Sequence, residues 1–151
     1  KNKAVIINSA VGEKIQDIEF YTKSDLKDTG SSSIIPHYYL DKVEEVKMIT
    51  LDFFVKKNNI EQIDFIKIDV EGYEEKILIG ALNCLEKGIP KFIQIEFNWH
   101  HLFRNTSLLY FSEKLPNYDC YQLIYDGWIK RDPRDPLTNI YHFSNFVFVR
   151  H

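Results

Sequence analysis

Cysteine is scarce in this chain. The two present in 151 residues, Cys84 and Cys120, show none of the CxxC spacing of zinc sites and are too few for a disulfide framework. That excludes a disulfide-stapled scaffold, so free thiols in a reducing, cytoplasmic compartment are expected. No apolar run reaches the length of about 18 residues that spans a bilayer, and the first residues lack a signal-type hydrophobic segment. An excess of positive charge is missing as well: 19 basic residues face 22 acidic ones, for a formal net charge of −3. No global field therefore draws nucleic acid or an anionic membrane surface. Glycine numbers six, and none stands in a glycine-rich turn after an opening strand, where a backbone can come close to a bound cofactor. What the chain does have is 44% hydrophobic residues, enough for one core and too short a length for two, and it shows no internal repeat or linker. Residues 1–151 read as one domain.

The chain is organised around residues 63–90, IDFIKIDVEGYEEKILIGALNCLEKGIP. The first seven, rich in Ile and Phe, predict a strand buried on both faces that ends at Asp69. Asp69, Glu71 and Gly72 occupy the turn. Apolar residues at Tyr73, Ile77, Leu78, Ala81, Leu82 and Leu85 then predict one helix with a wide stripe, closed by Gly88 and Pro90. A strand feeding a helix through an acidic turn puts Asp69 and Glu71 at the carboxyl edge of a parallel sheet, where open α/β folds hold ligands.

Around this unit the pattern predicts further elements. Residues 4–7 (AVII) read as a short strand, residues 18–22 as a half-buried strand paired locally, and residues 46–49 as another. Residues 28–33 (DTGSSS) read as a loop, with His37, Tyr38 and Tyr39 after it as substrate contacts or part of a surface insertion. Thr50 is the expected cap of a helix over residues 51–57. Residues 92–97 alternate as a strand ending near Glu96, with Asn98, Trp99, His100 and His101 at its exit. Residues 105–107 should cap a second packing helix that stops at Pro116. Residues 120–125 and 128–130 should form a hairpin about Asp126-Gly127, and residues 143–149 a last strand.

The stretch FIKIDVEGYEEKILIGA, followed by FIQIEF and preceded by ITLDFFVKKNNIEQID, resembles the FkbM family of S-adenosylmethionine-dependent methyltransferases. The likeness runs from Asn8 to the closing SNFVFV. It implies an α/β fold of Rossmann-like methyltransferase type, three-layered with a mixed sheet. It also implies that this chain is the later portion of the domain, with the first two strands and the cofactor loop expected before Lys1. By the same resemblance the function is O-methylation of a hydroxyl on a sugar, polysaccharide or polyketide-type acceptor, with Ser9, Ala10 and Asp69 beside the cofactor. Residues 1–151 alone are expected to bind S-adenosylmethionine weakly and to self-associate through exposed strand edges.

Transfer to a hydroxyl requires aligned reactants and removal of the hydroxyl proton. Asp69, Glu96 and His100 are the candidate catalytic residues. His100 or His101, not both, suits a general base, because an imidazole titrates near neutrality. Asp69 and Glu96, with Asn98 or a histidine nearby, alternatively suit a divalent ion such as magnesium, a role ranked below the base. Bland alternatives stand beside these: Asp69 and Glu71 as helix caps, Ser9 and Ala10 as an ordinary strand end, Lys67 as the partner of a nearby acid. A noncatalytic interaction module is the competing class of function.

Overall fold

The computed structural model describes residues 4–22 and 42–151 as an α/β fold with two mixed sheets. The loop of residues 28–33 and His37, Tyr38 and Tyr39 lie outside the described residues. The smaller sheet has the order β1-β3-β2, from β1 (Ala10–Val11), β2 (Gln16–Thr22) and β3 (Lys42–Ile49). In it β2 runs antiparallel to β3, with Ile18 opposite Val46, and β1 runs parallel to β3.

The larger sheet has the order β4-β5-β8-β6-β7, from β4 (Ile63–Ile68), β5 (Pro90–Phe97), β6 (Tyr118–Ile124), β7 (Gly127–Lys130) and β8 (Ser144–Arg150). Parallel strands β4 and β5 lie side by side, whereas β8 enters antiparallel between β5 and β6. Register places Ile66, Ile93, Phe148 and Cys120 in one row and Ile68, Ile95 and Phe146 in the next, on the same face. That face meets the apolar sides of α2 (Glu74–Ile79), α3 (Leu82–Glu86) and α5 (Leu108–Lys114) through Ile77, Leu78, Ala81, Leu85, Leu108, Phe111 and Leu115. Phe97, Phe111 and Phe148 are fully buried, each stabilising the packing by about 1.5–3 kcal/mol in transfer terms. Both cysteines are free and buried, and burial pushes each thiol up to about 12, with the Asp52 hydrogen bond adding to it at Cys84.

Three expectations are corrected. Strand β4 is not buried on both faces: only Ile68 is buried, and Phe65 is 51% exposed. Among the described residues β4 pairs on one side alone, and its second face carries the alternate residues Phe65, Lys67 and Asp69. Residues 4–7 do not form a strand, and Val5 and Ile6 are exposed. Apolar composition cannot hold a strand without a neighbour to share its hydrogen bonds, and here strand pairing begins only at Ala10.

The single helix expected after Asp69 is two helices. It breaks at Gly80-Ala81, where Gly80 packs directly on the Gly12 carbonyl and any side chain would collide with it. The second piece is restarted by a distant cap: Asp52 accepts from the backbone N–H groups of Asn83 at 3.0 Å and Cys84 at 2.8 Å. Helix α1 (Leu51–Lys57), which supplies Asp52, is itself capped by the Thr50 hydroxyl. Ser107 caps α5 in the same way, and the Asp126-Gly127 hairpin joins β6 to β7.

Candidate active site

The chain leaves β4 through Asp69, Val70, Glu71 and Gly72. Glu71 has φ 56° and Gly72 φ 96°, two successive left-handed residues. Glycine adopts this conformation freely, whereas a glutamate there costs roughly 1–2 kcal/mol, a strain that clusters at functional sites. Gly72 also allows a close approach, since a Cβ there would stand 3.2 Å from the His100 Cβ. Strand β5 runs parallel beside β4 with Ile68 opposite Ile95, so Asp69 and Glu96 follow at the same edge and on the same face. The carboxylate oxygens of Asp69, Glu71 and Glu96 come within 4.8 Å of one another.

Among the described residues one ammonium pairs with these three acids. Lys67, two residues before Asp69 and on its face, reaches Asp69 Oδ2 at 2.6 Å. Its pairing matches the expected structural role, although the lysine is half-exposed rather than enclosed in an apolar strand. That hydrogen bond, and the charge behind it, raise the Lys67 ammonium above its ordinary value. Glu96 is raised too, which for an acid disfavours the charge: burial, then the charges of Asp69 and Glu71 and a hydrogen bond with Asp69, outweigh Lys67. The N-cap residue of α2 is Tyr73, which supplies no side-chain cap, and neither Asp69 nor Glu71 stands at that position.

The exit of β5 supplies the imidazoles. The short helix α4 (His100–Phe103) starts at once, and adjacent residues on a helix diverge by about 100°. His100 turns to the acidic edge, where its Nδ1 lies 2.6 Å from Glu71 Oε2. The Asn98 Oδ1 accepts from the His100 backbone N–H at 2.9 Å, and the Trp99 ring lies against the imidazole. His101 turns inward between Phe97 and Phe111, with Nε2 3.1 Å from Glu74 Oε2. In both histidine–glutamate contacts the separation is that of a hydrogen bond while the alignment falls short of one. His100 Nδ1, His101 Nε2 and Glu74 Oε2 are all buried, and each has this contact in place of a well-aligned hydrogen bond.

Ser9 and Ala10 lie on the side of the smaller sheet and make no hydrogen bond with these acids. The turn that follows them does reach the site's first helix, because Tyr73 donates to Glu13 Oε2 at 2.9 Å. Burial, with that bond, pushes the Tyr73 hydroxyl up to about 12. Sequence reasoning missed the pairing of Glu71 with His100 and the buried Glu74. The one signal for the first was Gly72, a glycine wedged between a turn and a helix start.

The acidic edge thus unites Asp69, Glu96 and His100 and adds Glu71. An imidazole held by a carboxylate can accept a proton through its other nitrogen, and the three acids can meet a cation. Comparison with known proteins adds one assignment: residues 1–120 match the model of a protein family described as the methyltransferase FkbM domain. No curated protein matches the chain, and no solved structure does.

Proposed function

The chain belongs to the FkbM family of methyltransferases, and from that premise we propose that its acidic edge serves S-adenosylmethionine-dependent O-methylation of a hydroxyl, with His100 as general base. The observation that carries this reading is the Glu71–His100 contact of 2.6 Å. With Nδ1 turned to the Glu71 carboxylate, Nε2 is the nitrogen left to take the acceptor's proton, and Glu71 stabilises the imidazolium that results. The acceptor is a small molecule or glycan, of the sugar or polyketide type.

The donor set suits the cofactor's charge. Three carboxylates against one paired lysine favour a negative edge, complementary to a sulfonium cation. Asp69 and the turn at Ser9 and Ala10 are the residues that would hold it. When bound, S-adenosylmethionine supplies an electrophilic methyl group for in-line displacement by the acceptor oxygen. Asp69 and Glu96 orient the acceptor toward that group. The order β5-β8-β6, with one antiparallel strand between two that run the other way, supports the Rossmann-like, three-layer reading.

The test uses the natural polypeptide that carries these residues, a methyl-labelled donor and a panel of sugar, oligosaccharide and polyketide-type alcohols. Transfer to one class is expected, and His100→Ala should lower kcat by about 10²–10⁴. Undiminished turnover in that variant would overturn the base assignment. A second reading rests on the spacing of Asp69, Glu71 and Glu96 within 4.8 Å, which suits a divalent ion. Turnover abolished by chelation and restored by magnesium would favour it.

A further inference from the structure

Glu74 and His101 are the least exposed titratable residues near the acidic edge, at 1% and 0%, and the proposed chemistry uses neither. Each holds a different turn. Glu74 Oε1 accepts from the Val70 backbone N–H at 3.2 Å, and Val70 stands between Asp69 and Glu71. His101 Nδ1 lies 3.2 Å from the Asn98 backbone N–H, two residues beyond Glu96. The same nitrogen is equally close to the Asn98 carbonyl, so either a donated or an accepted bond ties the ring to that peptide. Between the two turns, Glu74 Oε2 and His101 Nε2 face each other at 3.1 Å, and neither atom has another hydrogen-bond partner.

Burying a carboxylate and an imidazole in a phenylalanine core is costly unless each satisfies the other. The core around them is built to keep them in place, with Phe97 at 4.8 Å and Phe111 at 5.4 Å from the His101 ring. The neutral tautomer with the proton on Nε2 suits the pair: Nε2–H faces the Glu74 carboxylate at 3.1 Å, and Nδ1 accepts from the Asn98 N–H.

We infer that Glu74 and His101 form a positioning pair that locks the turn after β4 to the turn after β5, fixing Glu71 against His100. Neither residue touches a reacting atom. The pair acts through the backbone of Val70 and Asn98, and so sets the distance between the acid of one turn and the imidazole of the other. This deepens the methyl-transfer reading and rests on it for the consequence in turnover, but not for the geometry.

The experiment is Glu74→Gln in the natural polypeptide, followed by 15N and 1H spectroscopy of the histidine rings and by kinetics. The wild-type His101 Nε2–H should be shifted downfield and protected from exchange. In Glu74→Gln that signal should move upfield, the His100 ring nitrogens should change shift, and kcat should fall at least tenfold with KM nearly constant. Should that variant not fold, His101→Gln, which keeps a donor toward Glu74 but loses the contact with Asn98, is read by the His100 ring signals and the kinetics alone. Unchanged His100 signals in a folded variant overturn the pair, whatever the activity. Responsive His100 signals in a polypeptide with no methyl transfer would remove the reading of the reaction and leave the pair standing.

Discussion

Asp52, in the first turn of one helix, closes the start of another through Asn83: its Oδ2 accepts from the Asn83 backbone at 3.0 Å and from the Asn83 side-chain amide at 2.7 Å. Burial works against the charge, yet the hydrogen bonds from Cys84 and Asn83 outweigh it and hold the Asp52 carboxyl below its ordinary value. Asp52→Ala orphans two amides of α3 and should cost about 1–2 kcal/mol. A depressed folded value means that stability is present above the unfolded value, about 3.9, and is lost as pH falls through the folded one. Thermal melts of the two proteins should therefore converge in acid. A constant difference down to about pH 2 would contradict the ionised cap.

Glu96 carries the opposite sign. Its folded value is raised by burial and by Asp69 and Glu71, so the ionised carboxylate destabilises the fold above that value. Below the unfolded value, about 4.3, the group is protonated in both states and the effect vanishes. Glu96→Gln should raise the melting temperature near neutrality and leave it unchanged near about pH 3. The same variant should lose turnover. A melting temperature that falls at every pH would show that Glu96 is a structural anchor.

For Asp69 the prediction separates chemistry from folding. Its described side-chain ion-pair partner is the half-exposed Lys67, and solvent screens an exposed pair until it adds little to stability. Asp69→Asn should therefore shift the melting midpoint by no more than about 4 °C, while methyl transfer falls by a much larger factor. Parallel losses in both measurements would assign Asp69 to the scaffold.

Phe65 projects from β4, which pairs on one side among the described residues, and it is 51% exposed. Unpaired strand edges with apolar side chains invite association. Residues 1–151 should show a mass that rises with concentration in light scattering, and Phe65→Lys should suppress the rise. The same monomeric mass in both proteins across the concentration range would dismiss self-association at this edge.

Local signals in the sequence carried much of the fold. Thr50 and Ser107 announce their helices because a hydroxyl cap acts within three residues, and Asp126-Gly127 announces its hairpin for a similar reason. The meeting of Asp69 and Glu96 followed from two strands that end in acids and run the same way. What stayed hidden depends on contacts between distant residues. The break at Gly80 is made by Gly12 and Asp52, neither of which lies in the helical pattern. The fates of His100 and His101 follow from a helical turn that a strand-like exit did not suggest, and the burial of Glu74 depends on a histidine 27 residues away in the chain. Apolar content misled at Val5 and Ile6, where the pattern names a strand and pairing alone decides it.

The placement of β8 has a bearing on how the protein is made. Strands β5 and β6 are not paired with each other; each is paired with β8, which is synthesised after both. On the ribosome the β6-β7 hairpin lacks its β8 partner until residues 144–150 emerge to join it to β5. Assembly is thus gated by the last of these strands to be translated, and a polypeptide halted before Ser144 would expose two open seams to chaperones and to its neighbours on the same message.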